Sequence, residues 1–328
     1  MSPSIDARPG HQNRLLIIDP HTGSWQDAAV ADLALCFEPG DVLVVNDAAT
    51  LPASLHGTTA GAPIELRLAG PPESGWAVLF GAGDWRQDTD TRPAPPPVQV
   101  GDRLRLRGGD VSVLEVSPRS PRLVRVEVPL EQLYAFGHPV QYSYMRRRLS
   151  LASVQTPYAG PPLAVEMPSA GRPLDQGLRA ALEARGAAVL ALSHAAGLSS
   201  TGDPALDAAL PLPERYDVPA ATWRAVQGAR RVVAVGTSVV RALESAARGP
   251  LSGITELTLG PGVPLQVVDG LLSGMHEPGE SHFRLMATFA DPDLLRRAHR
   301  HAVAQGYRNH EFGDSTLLLP RSRRALSA

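Results

Sequence analysis

The chain has 328 residues, a formal net charge of −2, and 31 basic residues that are all arginine. That length can bury a large core and suits two domains, and the near-neutral balance excludes a protein that coats nucleic acid with a global positive field. Without lysine there is no Schiff base and no lysine general base, so proton transfer must fall to Asp, Glu, His, Tyr or Cys.

Residues 13–19 and 41–46 read as strands, with a helix predicted at 27–36 that carries Cys36 as a small core residue. From about 55 to 130 apolar residues alternate with polar ones: Ile64, Leu66 and Leu68, then Leu104 and Leu106, Val111 and Val113, and Val124, Val126 and Val128. A period of two marks half-buried antiparallel strands. GDR and RGGD punctuate them as turns, and Pro93 to Pro97 makes a stiff connector. This predicts a small antiparallel β-barrel inserted into a larger α/β domain. Residues 55–151 are the barrel and its return linker; 1–54 and 152–328 are the large domain.

Beyond 152 the rhythm becomes α/β. Helices are predicted at 175–185, 220–228, 281–290 and 292–305, and strands at 187–193, at Val232, and at 255–259, 265–272 and 316–319. Strands alternating with helices predict a mostly parallel sheet.

The stretch RVVAVGTSVVRALES, from Arg231 to Ser245, is the most informative. A short apolar strand turns through Gly236 into a helix opening with Thr237 and Ser238, which leaves backbone N–H groups at the strand's carboxyl end. Ligands of open α/β sheets bind there. Thr237 and Arg241 are four apart and share a helix face; Arg241 and Glu244 could equally form a surface pair on that helix.

No apolar run is long enough to span a bilayer, and MSPSIDARPG is too polar for a signal peptide. The single cysteine excludes an internal disulfide and fits the cytoplasm. No Cys/His cluster has metal-ligand spacing, so no metal is expected. A polyanionic partner would need a local patch: Arg146, Arg147 and Arg148 form one candidate, and Arg321, Arg323 and Arg324 another.

Two further blocks, VVDGLLSGMHEP from Val267 to Pro278 and GYRNHEFGDSTLLL from Gly306 to Leu319, join the Gly236 block in order and spacing. Weaker blocks precede them: NRLLIID at Asn13, GDVLVVNDAATLPASLHG at Gly40, and PSAG at Pro168. Together these resemble the S-adenosylmethionine:tRNA ribosyltransferase-isomerase family of queuosine biosynthesis, over nearly the whole chain. The chain departs from the family's NDTRVIPARL, PTAGLHF, TNFHLPKST and HKMHSEYY. Ala49 and Ser54 replace both arginines of the first, the histidine of the second is absent, the third reads SGMHEPGES from Ser273, and the fourth is reduced to LPERY at Leu212.

The resemblance implies the same inserted barrel and a reaction. The ribosyl part of S-adenosylmethionine moves onto an aminomethyl-deazaguanine base in tRNA and rearranges to an epoxycyclopentane, releasing adenine and methionine. S-adenosylmethionine is then a consumed co-substrate and no other cofactor is expected. The chemistry needs a base for the proton beside the sulfonium, assistance to departing adenine, and exclusion of water. Asp269, His276 and Asp314 are the expected catalytic residues. Asn46, Asp47, Ser169, Gly171, His194, Thr237, Ser238, Arg241 and Tyr307 are expected to bind substrate, and Arg146, Arg147 and Arg148 to hold tRNA, in a monomer. Simpler roles compete: His276 as a loop tie, Asp269 as an internal partner of Arg241, Asp314 as a turn closure, Tyr307 as core. Two other functions compete as well, a paralogue acting on another nucleoside or base without tRNA, and a non-catalytic nucleoside-binding protein.

Overall fold

The structure is a computed structural model and describes residues 9–320. A nine-stranded sheet forms the larger body. Its spatial order is Ser252–Thr255, Glu214–Asp217, Ala188–His194, Asp41–Asn46, Arg231–Val235, Gly270–Gly274, Ser315–Leu318, Arg14–Asp19 and Ser24–Ala29. The four strands from Ala188–His194 to Gly270–Gly274 run parallel; one flank is antiparallel throughout, and on the other Ser315–Leu318 is antiparallel to Gly270–Gly274 but parallel to Arg14–Asp19, which forms an antiparallel hairpin with Ser24–Ala29.

The central strands are apolar on both faces. Val42, Val44, Val232, Ala234 and Leu271 face one core, packed by the helices Ala220–Gly228, Thr237–Ala246, Ser281–Met286 and Pro292–Ala304. Leu43, Val45, Val233, Val235 and Leu272 face the other, under Gln176–Ala184 and the 3-10 helix Val30–Cys36. Doubly covered parallel strands are continuous apolar runs for this reason. Asp175 caps its helix, accepting from Leu178 N at 2.9 Å.

The second sheet is antiparallel, in the order Glu115–Val116, Leu123–Arg125, Trp76–Phe80, Ala62–Leu68, Ser54–Thr59, Arg103–Leu106 and Gly109–Ser112. The two outer strands are consecutive in the chain. Residues 109–116 therefore pair first with Arg103–Leu106 and then with Leu123–Arg125, which curls the sheet into a small barrel. Its core also takes in Val165, Leu198, Leu206 and Leu212 from the chain beyond it.

Four segments differ from the sequence expectation. Instead of a helix from 27, Ser24–Ala29 is the return strand of a hairpin on Arg14–Asp19, turned at Gly23 with φ 68°, and only Val30–Cys36 is helical. Strands expected at 255–259 and 265–272 are shorter, at Ser252–Thr255 and Gly270–Gly274. For the second, the reason is Glu244, fully buried, whose carboxylate accepts from the backbone N–H groups of Gln266, Val267 and Val268 and removes them from any ladder. The short strand Glu214–Asp217 carried no signal and is paired on both sides. Arg321, Arg323 and Arg324 lie outside the described residues. Among the described residues no helix is long and apolar enough to cross a membrane.

On the strand Ala62–Leu68, buried on the face opposite Ile64, Leu66 and Leu68, Glu65 takes hydrogen bonds from Ser54 Oγ at 2.6 Å, from Arg67 Nε at 2.7 Å and from Arg92. Burial alone would raise its pKa, but the two guanidiniums and the hydroxyl bring it down to about 2. A folded pKa below the ordinary 4.5 means that stability is present above that value and is lost as pH falls towards 2. Glu65→Gln strands two buried cations and should cost about 3–5 kcal/mol at neutral pH. Urea titrations at pH 7 and pH 3 check both points: the variant's deficit should shrink at the lower pH.

Candidate active site

Parallel strands deliver their carboxyl ends to one edge of the sheet, and ligands of α/β sheets bind there. Asn46 and Asp47, Ser193 and His194, Gly236, and Met275 and His276 all follow parallel strands at this edge. The strand Ser315–Leu318 runs the other way, with Ser315 opposite Gly274, so Asp314 arrives at the same edge.

At the centre, Gly236 has φ 92° and ψ 156°, a conformation that favours glycine. It starts the helix Thr237–Ala246, which no side chain caps. Thr237 and Ser238 are half-buried in its first turn, where the unpaired N–H groups and the dipole favour an anionic or electron-rich group. The turn Ser169–Gly171 packs over this point: a Cβ on Gly236 would lie 3.5 Å from Ala170 Cβ. Gly171 must stay glycine, because a Cβ there would fall 1.8 Å from the hydroxyl of Tyr158.

Beside this helix runs a buried polar chain. Asn46 Nδ2 donates to the His194 carbonyl at 2.9 Å, and Asn46 Oδ1 accepts from His194 N at 2.9 Å. The His194 ring is fully buried with Nε2 3.4 Å from Glu214 Oε2. Burial lowers its pKa to about 4, against the raising effect of Glu214, so the ring is neutral. Glu214 also accepts from Gly197 N at 2.7 Å and from Arg241. Arg241 also donates from Nε to the carbonyl of Leu257, at 2.9 Å, and from Nη2 to that of Thr255, at 3.4 Å. This corrects both sequence alternatives for Arg241: its partner is neither Glu244 nor Asp269, and its buried fork is occupied within the fold.

His276 stands at the end of the strand Gly270–Gly274. Its Nε2 is 3.0 Å from Ser273 Oγ and its Nδ1 is 3.3 Å from Glu280 Oε2. Despite desolvation, the His276 contact keeps the Glu280 pKa below its ordinary value, so it is a carboxylate. The His282 ring stacks on His276 with centroids 4.7 Å apart and planes 7° apart. Burial and the charges of His276 and Arg241 take its pKa down to about 3, leaving it neutral. His282 also lies within the field of Arg241, and the helices that carry these two residues, with Met275 next to His276, pack into the same core on one side of the sheet.

The other expected residues are distributed unevenly. Asp47 accepts from Ser193 Oγ at 2.6 Å beside a cleft of about 190 Å³ lined by Ser193, Arg215 and Asp217. Asp314 lies at the right edge, but its two carboxylate oxygens accept from Arg14 N at 2.7 Å and Arg308 N at 2.8 Å. It fastens the 308–314 loop. Asp269 is not brought to this edge: it precedes the strand Gly270–Gly274, at the opposite end from His276, and accepts from Val232 N at 2.8 Å. Tyr307 is buried and its hydroxyl donates to Asp27 at 2.6 Å, a core position. Arg146, Arg147 and Arg148 are exposed on a loop whose neighbour Tyr144 stacks on His310 at 4.0 Å, at the rim of the site.

Sequence reading missed Glu214, Ser273, Glu280 and His282 as site residues. Glu280 and His282 follow His276 by four and six residues, a spacing that could have been noticed; Glu214 becomes visible only through a strand pairing. Position 54, where the family carries an arginine, is a serine directly opposite Arg67, and both bond Glu65. A guanidinium is therefore present at this spot from the neighbouring strand.

A sheet edge of this kind, with an uncapped helix start and a histidine set between a serine and a carboxylate, defines an α/β protein with a polar site at the carboxyl ends of its parallel strands. The chain belongs to the queuosine biosynthesis protein family, whose model matches residues 4–318. The S-adenosylmethionine:tRNA ribosyltransferase-isomerase of Acidithiobacillus ferrooxidans is 36% identical over 95% of this chain and 92% of its own. The protein of that name from Anaeromyxobacter dehalogenans is 34% identical over 95% and 94%. A crystal structure of S-adenosylmethionine tRNA ribosyltransferase from Thermotoga maritima, 24% identical, has the same fold, with a TM-score of 0.52 over 97% of this chain and 96% of that one.

Because Arg241 neutralises buried Glu214, Arg241→Ala should lower stability by about 3–5 kcal/mol in urea unfolding. Thr237→Val, at the open helix start, should leave unfolding within about 0.5 kcal/mol of wild type.

Proposed function

We propose that this chain is an S-adenosylmethionine:tRNA ribosyltransferase-isomerase. It takes the ribosyl moiety of S-adenosylmethionine onto a deazaguanine base in tRNA and isomerises it, with release of adenine and methionine. The single observation that carries the reading is the Ser273–His276–Glu280 arrangement at the sheet edge, beside the open start of the helix Thr237–Ala246. The full-length likeness to relatives of that name supports it over a paralogue without tRNA or a binding protein.

The proton beside a sulfonium is acidified by the positive sulfur, so a histidine suffices as base near neutral pH. With the Glu280 carboxylate at Nδ1, the proton of a neutral His276 sits on that nitrogen and leaves Nε2 as the basic atom. Ser273 holds that atom until substrate displaces its hydroxyl. The same ring, once protonated, can return the proton to departing adenine. Neutral His282 lies flat against it and adds no competing charge. Thr237 and Ser238 offer hydroxyl and backbone donors to the ribose or the carboxylate of the methionine part. Ser169 and Gly171 close over them, and His194 and Asn46 fix the adjoining loop. Asp314 positions the 308–314 loop. S-adenosylmethionine is consumed rather than retained, tRNA is held in part by Arg146, Arg147 and Arg148, and the enzyme works as a cytoplasmic monomer.

Purified protein given S-adenosylmethionine and tRNA bearing the aminomethyl-deazaguanine precursor should release adenine. His276→Gln should lower kcat by about 100-fold or more with the fold intact. Unchanged kcat in that variant would remove His276 from the chemistry.

A further inference from the structure

Behind the Ser169–Gly171 turn stand two hydroxyls that the fold leaves unpaired. The side-chain oxygens of Tyr158 and Thr156 are buried and have no hydrogen-bond partner among the described residues. Both side chains meet Gly171: a Cβ there would fall 1.8 Å from the Tyr158 hydroxyl and 3.6 Å from Thr156 Cγ2. Burial pushes the Tyr158 pKa up, with Arg179 opposing and Asp47 adding to it, so the group is a neutral phenol with a proton to donate. The Arg179 guanidinium lies 5.8 Å from the centre of the ring.

The segment that carries the two hydroxyls is fixed. Thr50 N donates to Gln155 Oε1 at 2.9 Å, Gln155 Nε2 donates to Thr50 O at 2.9 Å, and Thr50 Oγ1 donates to Val154 O at 2.8 Å. Further on, Gly160 N donates to Asp47 O at 2.6 Å and Ala49 N to Pro161 O at 2.7 Å. Residues 154–161 are thereby clamped at both ends to residues 47–50, which follow the central strand Asp41–Asn46. The turn in front is held differently. Ser169 N donates to Met167 O at 2.7 Å and Gly171 N to Pro168 O at 3.0 Å, bonds that close the turn on itself without reaching the segment behind it.

A buried hydroxyl without a partner costs free energy, and most of those in native proteins have one. Two of them at one place, against a turn that covers the open start of the helix Thr237–Ala246, mark groups whose partners arrive in another state. We propose that Tyr158 and Thr156 are positioning residues for the reaction: when substrate occupies the helix start, the Ser169–Gly171 turn settles onto the two hydroxyls, which bond its backbone carbonyls and hold it closed. These bonds form only with ligand bound, so they add to affinity and to the exclusion of water but not to the stability of the free protein. Neither residue touches the reacting atoms. The proposal rests on the reading above for the identity of the ligand.

Tyr158→Phe and Thr156→Val delete the hydroxyls and keep the shapes, and the full chain carrying either one, or both, tests the proposal. Without ligand, each variant should melt at or above the wild-type temperature. Calorimetric titration with S-adenosylmethionine, beside tRNA lacking the precursor base so that no turnover occurs, should show binding about fivefold weaker in each single variant. Hydrogen exchange should show that the ligand protects the 168–174 amides in wild type and protects them less in the double variant. Unchanged affinity and protection would overturn the proposal and leave the ribosyltransferase reading standing. A lowered melting temperature with unchanged affinity would assign the hydroxyls to the fold and overturn it as well. Wild type that binds no S-adenosylmethionine would overturn both.

Discussion

The buried carboxylate of Glu214 is the constraint on which the rest of the site depends. A lone charge at that depth would cost several kcal/mol, and the fold satisfies it with two donors, beside a neutral ring. Arg241 reaches it from the central helix, Gly197 N from the loop after the strand Ala188–His194, and the His194 ring stands beside it. Arg241 then ties the segment at 255–257 through two carbonyls. One group thereby fixes the antiparallel flank, the loop after His194 and the helix that opens at Thr237. The pair stabilises less than an apolar contact of equal volume would; what it contributes is a fixed geometry.

Electrostatics around His276 follow from which neighbours keep their charge. His194 and His282 are neutral through burial, while Glu280 is a carboxylate next to His276. The rim therefore carries the negative charge of Glu280 beside two neutral rings, and it is compatible with a sulfonium ligand. Arg146, Arg147 and Arg148 are exposed on the loop that follows Tyr144. The overall charge of −2 conceals both the acidic rim and this basic loop.

Much of the fold was legible because periodicity reports burial directly. The runs Val42–Val45 and Val232–Val235 are apolar on every residue because both faces are covered. The alternation at Ile64, Leu66 and Leu68 marks a sheet with its core on one side. The helix expected from residue 27 failed because a hairpin partner outweighed local pattern, and the 265–272 strand was shortened by a side chain 22 residues earlier. The site was legible in its parts and not in its pairings. Strand ends located His276, Asn46, His194, Gly236 and Asp314. Nothing in spacing could say that Asp269 begins a strand which His276 ends, or that Arg241 meets Glu214 across the sheet. Ser54 read as a loss until the strand register put Arg67 opposite it.

The central claim is that this edge transfers the ribosyl group of S-adenosylmethionine and not its methyl. The most direct measurement gives the protein precursor-bearing tRNA with S-adenosylmethionine labelled either in the ribose or in the methyl group, and follows label into purified tRNA. The account predicts that ribose label enters the tRNA while methyl label leaves with free methionine. Methyl label in the tRNA, or no label from either substrate with the protein folded, would contradict it.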